Sequence, residues 1–170
     1  MGLRSNLISE EYRRLNIELH STGKFGVHGS KWAERVTKIA QTIDATTLLD
    51  YGCGQGSLGT ALALPVAEYD PAIEGKDGRP EPADLVICTD VLEHIEPEFL
   101  DNVVNDLCAL SIKALFTVIS TRLAKKMLAD GRNAHLIVEP PSFWREIFSK
   151  HFTIVEWEIA DDEIIALMIK

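Results

Sequence analysis

Three aspartates stand at or near the ends of apolar stretches: Asp50 in "TTLLDYG", Asp70 in "PVAEYD" and Asp90 in "DLVICTDVL". Asp50 opens "DYGCGQGSLG", where Gly52, Gly54 and Gly56 are separated by Cys53 and Gln55. Residues 54–59 also spell a literal GxGxxG, the string that lets a backbone approach a pyrophosphate. Two ligand chemistries therefore compete for this loop. Glycines at alternate positions let the chain pass close under a bulky ligand with no Cβ in the way. A carboxylate at Asp50 would oppose a pyrophosphate and favour a cation. About 20 residues on, Asp70 stands where a carboxylate accepts hydrogen bonds from ribose hydroxyls.

The residues thus ask for a cationic group near Asp50, a nucleoside near Asp70 and little phosphate. S-adenosylmethionine meets all three, having an ammonium, a sulfonium and a ribose but no phosphate. Histidine is the usual base near neutral pH. His135 follows "ALFTVIS" in a loop with Asn133, and His94 lies in the "LEH" turn after Asp90. A role for His135 in catalysis or acceptor contact stands beside a structural one, and His94 can equally tie its turn together. His28 could reach a site if the glycine-containing loop "STGKFGVHGS" closes. His20 and His151 read as helix-end residues.

Strands and helices must alternate to bring these residues together. "SEEYRRLNIELH" predicts a helix capped by Ser9, with Glu10 and Glu11 at its positive end. "SKWAERVTKIAQTI" predicts a second, with Ser30 as cap and Trp32, Val36, Ile39 and Ile43 on one face. "TTLLDYG", "PVAEYD", "DLVICTDVL" and "ALFTVIS" read as short strands. "SLGTALAL", "PEFLDNVVNDLCAL" and "PPSFWREIFSKH" read as helices, the last two with proline near their first turn. "FTIVEWEIADDEIIALMIK" reads as a hairpin around Asp161-Asp162. The expected architecture is a mostly parallel α/β sheet with helices on both faces and an antiparallel C-terminal hairpin. The ligand belongs at the carboxyl ends of the strands, where the glycine loop lies.

The chain of 170 residues suits one domain. Its formal net charge of −9 disfavours nucleic acid unless basic residues cluster. Arg122, Lys125, Lys126 and Arg132 come nearest to a cluster and read as a solvated helix face. Cys53, Cys88 and Cys108 form no CxxC, so neither a disulfide framework nor a zinc site is expected, and no metal. With no signal-like or membrane-spanning stretch, a cytoplasmic protein is expected.

"DYGCGQG" resembles the DxGxGxG motif of class I S-adenosylmethionine-dependent methyltransferases. "EYDP" resembles the acid-bearing end of that family's second strand, "ADLVICTDVLEHI" its fourth strand and following turn, and "HLIVEPPSFWREIFSKHFTIVEWE" its late segment. The likeness covers roughly residues 46–170, and all four motifs come in order. It implies a Rossmann-like three-layer sandwich that uses S-adenosyl-L-methionine and releases S-adenosyl-L-homocysteine. Residues 1–45 would form a helical cap and 46–170 the core. Carried over by motif, Asp50, Tyr51, Gly52, Cys53, Gly54 and Gly56 would hold the methionine end. Tyr69 and Asp70 would hold the ribose side, and Asp90 and Val91 would lie beside the transferred methyl. Tyr12 and the Phe25-Gly26 loop would close over the cofactor, although Tyr12 can equally be core.

The family places a helix and a third strand between the ribose-binding acid and its fourth strand. Residues 71–83 are too few for both, so that helix and strand are expected to be missing. The lost strand would be an edge, and no internal ladder is broken. The short segment, or a second copy of the chain, would then cover the adenine. The acceptor is expected to be a small or sugar-like molecule methylated on O or N. "EPPSFW" resembles the motif of amino-directed nucleic-acid methyltransferases, but it precedes a helix and not the expected turn. A non-catalytic cofactor-binding or partner subunit and an NAD-dependent oxidoreductase stay open. Asp50 and the lack of a catalytic pair speak against the oxidoreductase.

Overall fold

The computed structural model describes residues 7–21 and 28–170. Six strands form one sheet: β1 (Leu48–Tyr51), β2 (Ala67–Tyr69), β3 (Ala83–Thr89), β4 (Ser111–Ser120), β5 (Thr153–Ala160) and β6 (Glu163–Ile169). Their order is β2-β1-β3-β4-β6-β5. β1 pairs in parallel with β2 on one side and β3 on the other. The chain order therefore reverses at β1, and a crevice opens at its carboxyl end. All four residues of β1 are buried, as expected for a strand covered on both faces.

Helices cover both faces of the sheet. α2 (Ala33–Thr42) and α3 (Ser57–Ala61) pack on one through Val36, Ile39, Leu58 and Leu62. α4 (Leu100–Leu110) and α5 (Pro141–Ser149) pack on the other through Val103, Leu107, Trp144 and Phe148. Trp144 is fully buried on the apolar face of α5. α1 (Glu10–Ser21) leaves the sandwich and packs with Leu128 and Ala134. None of the helices among the described residues is long and apolar enough to cross a membrane.

The expected loss of the third strand is found. β2 is the edge, and the residues between it and β3 form turns only. The C-terminal hairpin differs in one respect from a pair added outside the sheet. β6 inserts between β4 and β5 and alone runs against the other strands. Asp161 and Asp162, at φ 49° and 63°, make the tight turn that lets β6 fold back.

Two local expectations fail. Ser30 caps no helix: it lies inside a 3-10 turn, Gly29–Trp32, that runs into α2 without a side-chain cap. Arg122, Lys125, Lys126 and Arg132 do not share a helix face, because residues 121–140 contain no helix. Gly131 takes φ 88°, and the Leu128 N–H donates to the Arg132 carbonyl, which turns the chain back on itself.

Candidate active site

A cavity of about 490 Å³ opens at the carboxyl ends of β1 to β4. That volume is in the usual range for a small-molecule site. The end of β1 contributes Asp50, Gly52, Cys53 and Gly54, and β2 leads into Asp70. The turn after β3 contributes Asp90, Val91, Glu93 and His94, and the loop after β4 contributes His135.

The glycine loop is tightly built. Gly52 has φ 77°, and a Cβ there would collide with Val91 Cγ2. Its N–H and that of Cys53 both donate to the Tyr69 carbonyl, at 2.8 and 3.0 Å. The Asp70 carboxylate accepts from Gly54 N–H at 3.0 Å and from Ala72 N–H at 2.9 Å. Asp70 thus fastens the loop as well as lining the cavity. Gly56, at φ 76°, starts α3 and is not part of the lining. A Cβ on Gly56 or Gly59 would press on Glu68 Oε1, at 2.5 or 2.7 Å.

The electrostatics favour a cation. Asp50 is buried and its pKa is raised to about 7, by burial first and then by the charge of Glu68. Asp70 adds to the effect, while Lys76, paired with Glu68 at 2.7 Å, opposes it. A pyrophosphate in the cavity would meet Asp50 and Asp70, with the Glu68–Lys76 pair behind them, whereas a positive group relieves the repulsion on Asp50. Burial also pushes the Cys53 thiol up to about 12. It is a packed thiol and not a nucleophile.

Tyr51 and Tyr69 fall outside the lining, contrary to expectation. Side chains alternate across a strand, so both rings turn to the α4 face while Asp50 does not. They sit 5.0 Å apart, and the Tyr51 hydroxyl donates to Asp106 Oδ2 at 3.1 Å.

α1 lies over the cavity. Tyr12, Asn16 and His20 recur every four residues, share one face and line the site. Ser9 caps the helix through Tyr12 N–H and also donates its hydroxyl to Glu96 Oε1 at 2.6 Å. The Tyr12 hydroxyl donates to the His94 carbonyl at 2.6 Å, and burial raises its pKa to about 12. In the same first turn Arg13 donates to the Pro71 carbonyl at 2.7 Å and pairs with Asp77 at 2.8 Å. α1 therefore bridges the turn after β3 and the shortened segment after β2. Phe25 and Gly26 lie outside the described residues.

Asp90 occupies a left-handed conformation, φ 55°, which is costly for a residue with a side chain. Its pKa is raised chiefly by burial and eased by Lys31. His28 also lines the cavity, as the loop reading allowed. The His94 and His135 rings meet edge to face, 4.8 Å between centroids. His94 is pulled down to about 4 by burial and by His135, so it stays neutral near pH 7.

Several lining residues were not singled out from the sequence: Asn16, Lys31, Glu93, Ser120 and Glu163. His20 is a helix-end residue as read, but it also points to the site, with Nε2 4.0 Å from Asp70 Oδ2. The four-residue spacing from Tyr12 to His20 was the available signal. Lys31 and Glu163 carried none, since only the folded sheet brings them here. Arg122, Lys125 and Lys126, read as solvent-facing, line the cavity as well.

No family model matches the sequence, and no curated protein does. Solved structures do share its fold. One is 1,6-didemethyltoxoflavin-N1-methyltransferase from Burkholderia thailandensis with S-adenosylhomocysteine bound. It is 15% identical, with a TM-score of 0.68 over 99% of this chain and 93% of that one. N-methyltransferase NodS from Bradyrhizobium japonicum WM9, with S-adenosylhomocysteine, gives 0.61 at 15% identity over 95% and 99%. Magnesium protoporphyrin IX methyltransferase from Synechocystis PCC 6803, also with S-adenosylhomocysteine, gives 0.60 at 16% over 83% of each chain. The chain has the class I methyltransferase fold. That fold is the one the glycine loop and the acid-ended strands anticipated.

Proposed function

We propose that the chain is an S-adenosylmethionine-dependent methyltransferase acting on an oxygen or nitrogen of a small-molecule acceptor. The observation that carries this reading is the set of carboxylates, Asp50, Glu68 and Asp70, around a glycine loop at the switch point of this fold. The residues fit the cofactor: a cradle without side chains at Gly52, an acid for a cationic end and a second acid for a ribose.

When bound, S-adenosylmethionine supplies an electrophilic methyl group. The chain's own residues position and shield it. Asp50, Gly52, Cys53 and Gly54 hold the methionine end, and Asp70 takes the ribose. Pro71 and Ala72, tied to α1 through Arg13, close the adenine side in place of the missing strand. Asp90 and Val91 stand beside the reacting carbon, with Asp90 able to accept a proton from an acceptor O–H or N–H. His94 and His135 form the acceptor wall. α1 excludes water, which strengthens every charge interaction beneath it.

The test is turnover. Incubation with S-adenosylmethionine and a metabolite library should yield S-adenosylhomocysteine together with an acceptor 14 mass units heavier, that is, CH2 added (about 14 Da). Cofactor binding with no acceptor methylated across the library would favour a non-catalytic binding subunit. His135→Ala should lower turnover while leaving cofactor affinity within about twofold. If it alters neither, the histidine is structural.

A further inference from the structure

Glu93 is 1% exposed, yet only one of its carboxylate oxygens has a hydrogen-bond partner. Oε1 accepts from Ser120 N–H at 3.0 Å, and Oε2 has no partner among the described residues. A buried oxygen left so is costly whether the carboxyl is ionised or protonated, and a ligand there would satisfy it. Beside it lie two histidines with the same arrangement. His94 Nδ1 is 2.7 Å from the Ala134 carbonyl, and His135 Nδ1 is 2.5 Å from the Arg122 carbonyl. A carbonyl only accepts, so Nδ1 carries the proton in both rings and Nε2 presents the lone pair. Imidazoles that ligate metals are oriented in this manner, by a second hydrogen bond to a backbone carbonyl.

We infer that Glu93, His94 and His135 form a binding site for one divalent transition-metal ion at the acceptor side of the cavity. One ligand atom from each lies within 4.8 Å of the other two. Tetrahedral ligation at about 2.1 Å sets ligand atoms about 3.4 Å apart, so the widest pair closes on an ion by up to about 1.4 Å of side-chain movement. Two imidazoles and one carboxylate suit zinc, cobalt, iron or manganese, and suit magnesium and calcium poorly. The ion's binding stands on the cluster alone; its use rests on the proposed methyl transfer, where it would orient an oxygen-bearing acceptor as a Lewis acid.

The experiment uses chelator-treated full-length protein titrated with Co(II). Visible absorption and calorimetry report the ion, and cofactor binding is measured separately on the same preparation in EDTA. One Co(II) per chain, displaced by Zn(II) and not by equimolar Mg(II), is expected. His135→Ala and Glu93→Gln, each verified as folded by circular dichroism, should weaken Co(II) at least tenfold. No stoichiometric Co(II) binding, or binding unchanged in both variants, would overturn the site. S-adenosylmethionine binding without Co(II) removes the metal site and leaves the methyltransferase reading. Co(II) binding without S-adenosylmethionine binding does the reverse.

Discussion

In the proposed reading Asp50 selects what the glycine loop attracts, and it does so as a titrating group. Its pKa near 7 in the free protein means that a cationic ligand must draw it into its ionised form. Affinity for S-adenosylmethionine should therefore rise as pH rises from about 6 to about 8, and Asp50→Asn should remove most of that dependence, as calorimetry across pH would show. The sign for folding is opposite. The folded state keeps its proton above the unfolded carboxylate range, so this group's contribution to stability falls between about pH 4 and about pH 7. The Asp70 oxygens hold the Gly54 and Ala72 amides, and in the proposed reading they also take the ribose. Asp70→Ala should weaken cofactor binding about tenfold or more, in line with ~1–3 kcal/mol for a lost buried acceptor. Asp70→Asn, which keeps one acceptor oxygen, should lose less. Unchanged affinity in the alanine variant would refute the ribose role. Gly52→Ala combines a disfavoured φ with a collision on Val91. It should destabilise the fold by about 1–3 kcal/mol in urea unfolding.

Elements explain why some of this site was legible in the sequence and some was not. Strands ending in Asp50, Asp70 and Asp90 could be read because each is an apolar run closed by an acid, and parallel strands align their carboxyl ends. Tyr51 and Tyr69 were misplaced because neighbours in sequence face opposite sides of a strand, and a motif match ignores that alternation. The basic run at 122–132 was misread as a helix face because Asp130-Gly131, a turn signal, sits inside it. Lys31 and Glu163 could not be recognised at all: they are isolated charges whose meeting depends on long-range packing, whereas Glu93 stands beside His94 in the turn after β3 and was passed over. At this scale the decisive element is α1. It is held at the turn after β3 by Ser9–Glu96 and Tyr12–His94 and at the segment after β2 by Arg13. Tyr12→Phe removes one buried hydrogen bond and should cost about 1 kcal/mol in thermal unfolding. Hydrogen exchange in α1 should rise more than in α4, because the lost bond lies outside the sandwich.

For the molecule as a whole, the short edge beside β1 is the feature that bears most on the site. β2 has only three residues, and Glu68 on it pairs with Lys76. A short, charged edge tolerates the loss of a strand because no inner ladder depends on it. On this side of the site the cavity is lined by α1 and by Pro71 and Ala72 after β2. All of this assumes that the acids around the glycine loop select a cation with a ribose over a diphosphate. The direct measurement is calorimetric titration of the same protein with S-adenosylmethionine, S-adenosylhomocysteine, NAD and NADH. One S-adenosyl ligand per chain, and no heat from either dinucleotide, is the predicted result. Saturable binding of NAD or NADH, with S-adenosylmethionine silent, would contradict the account.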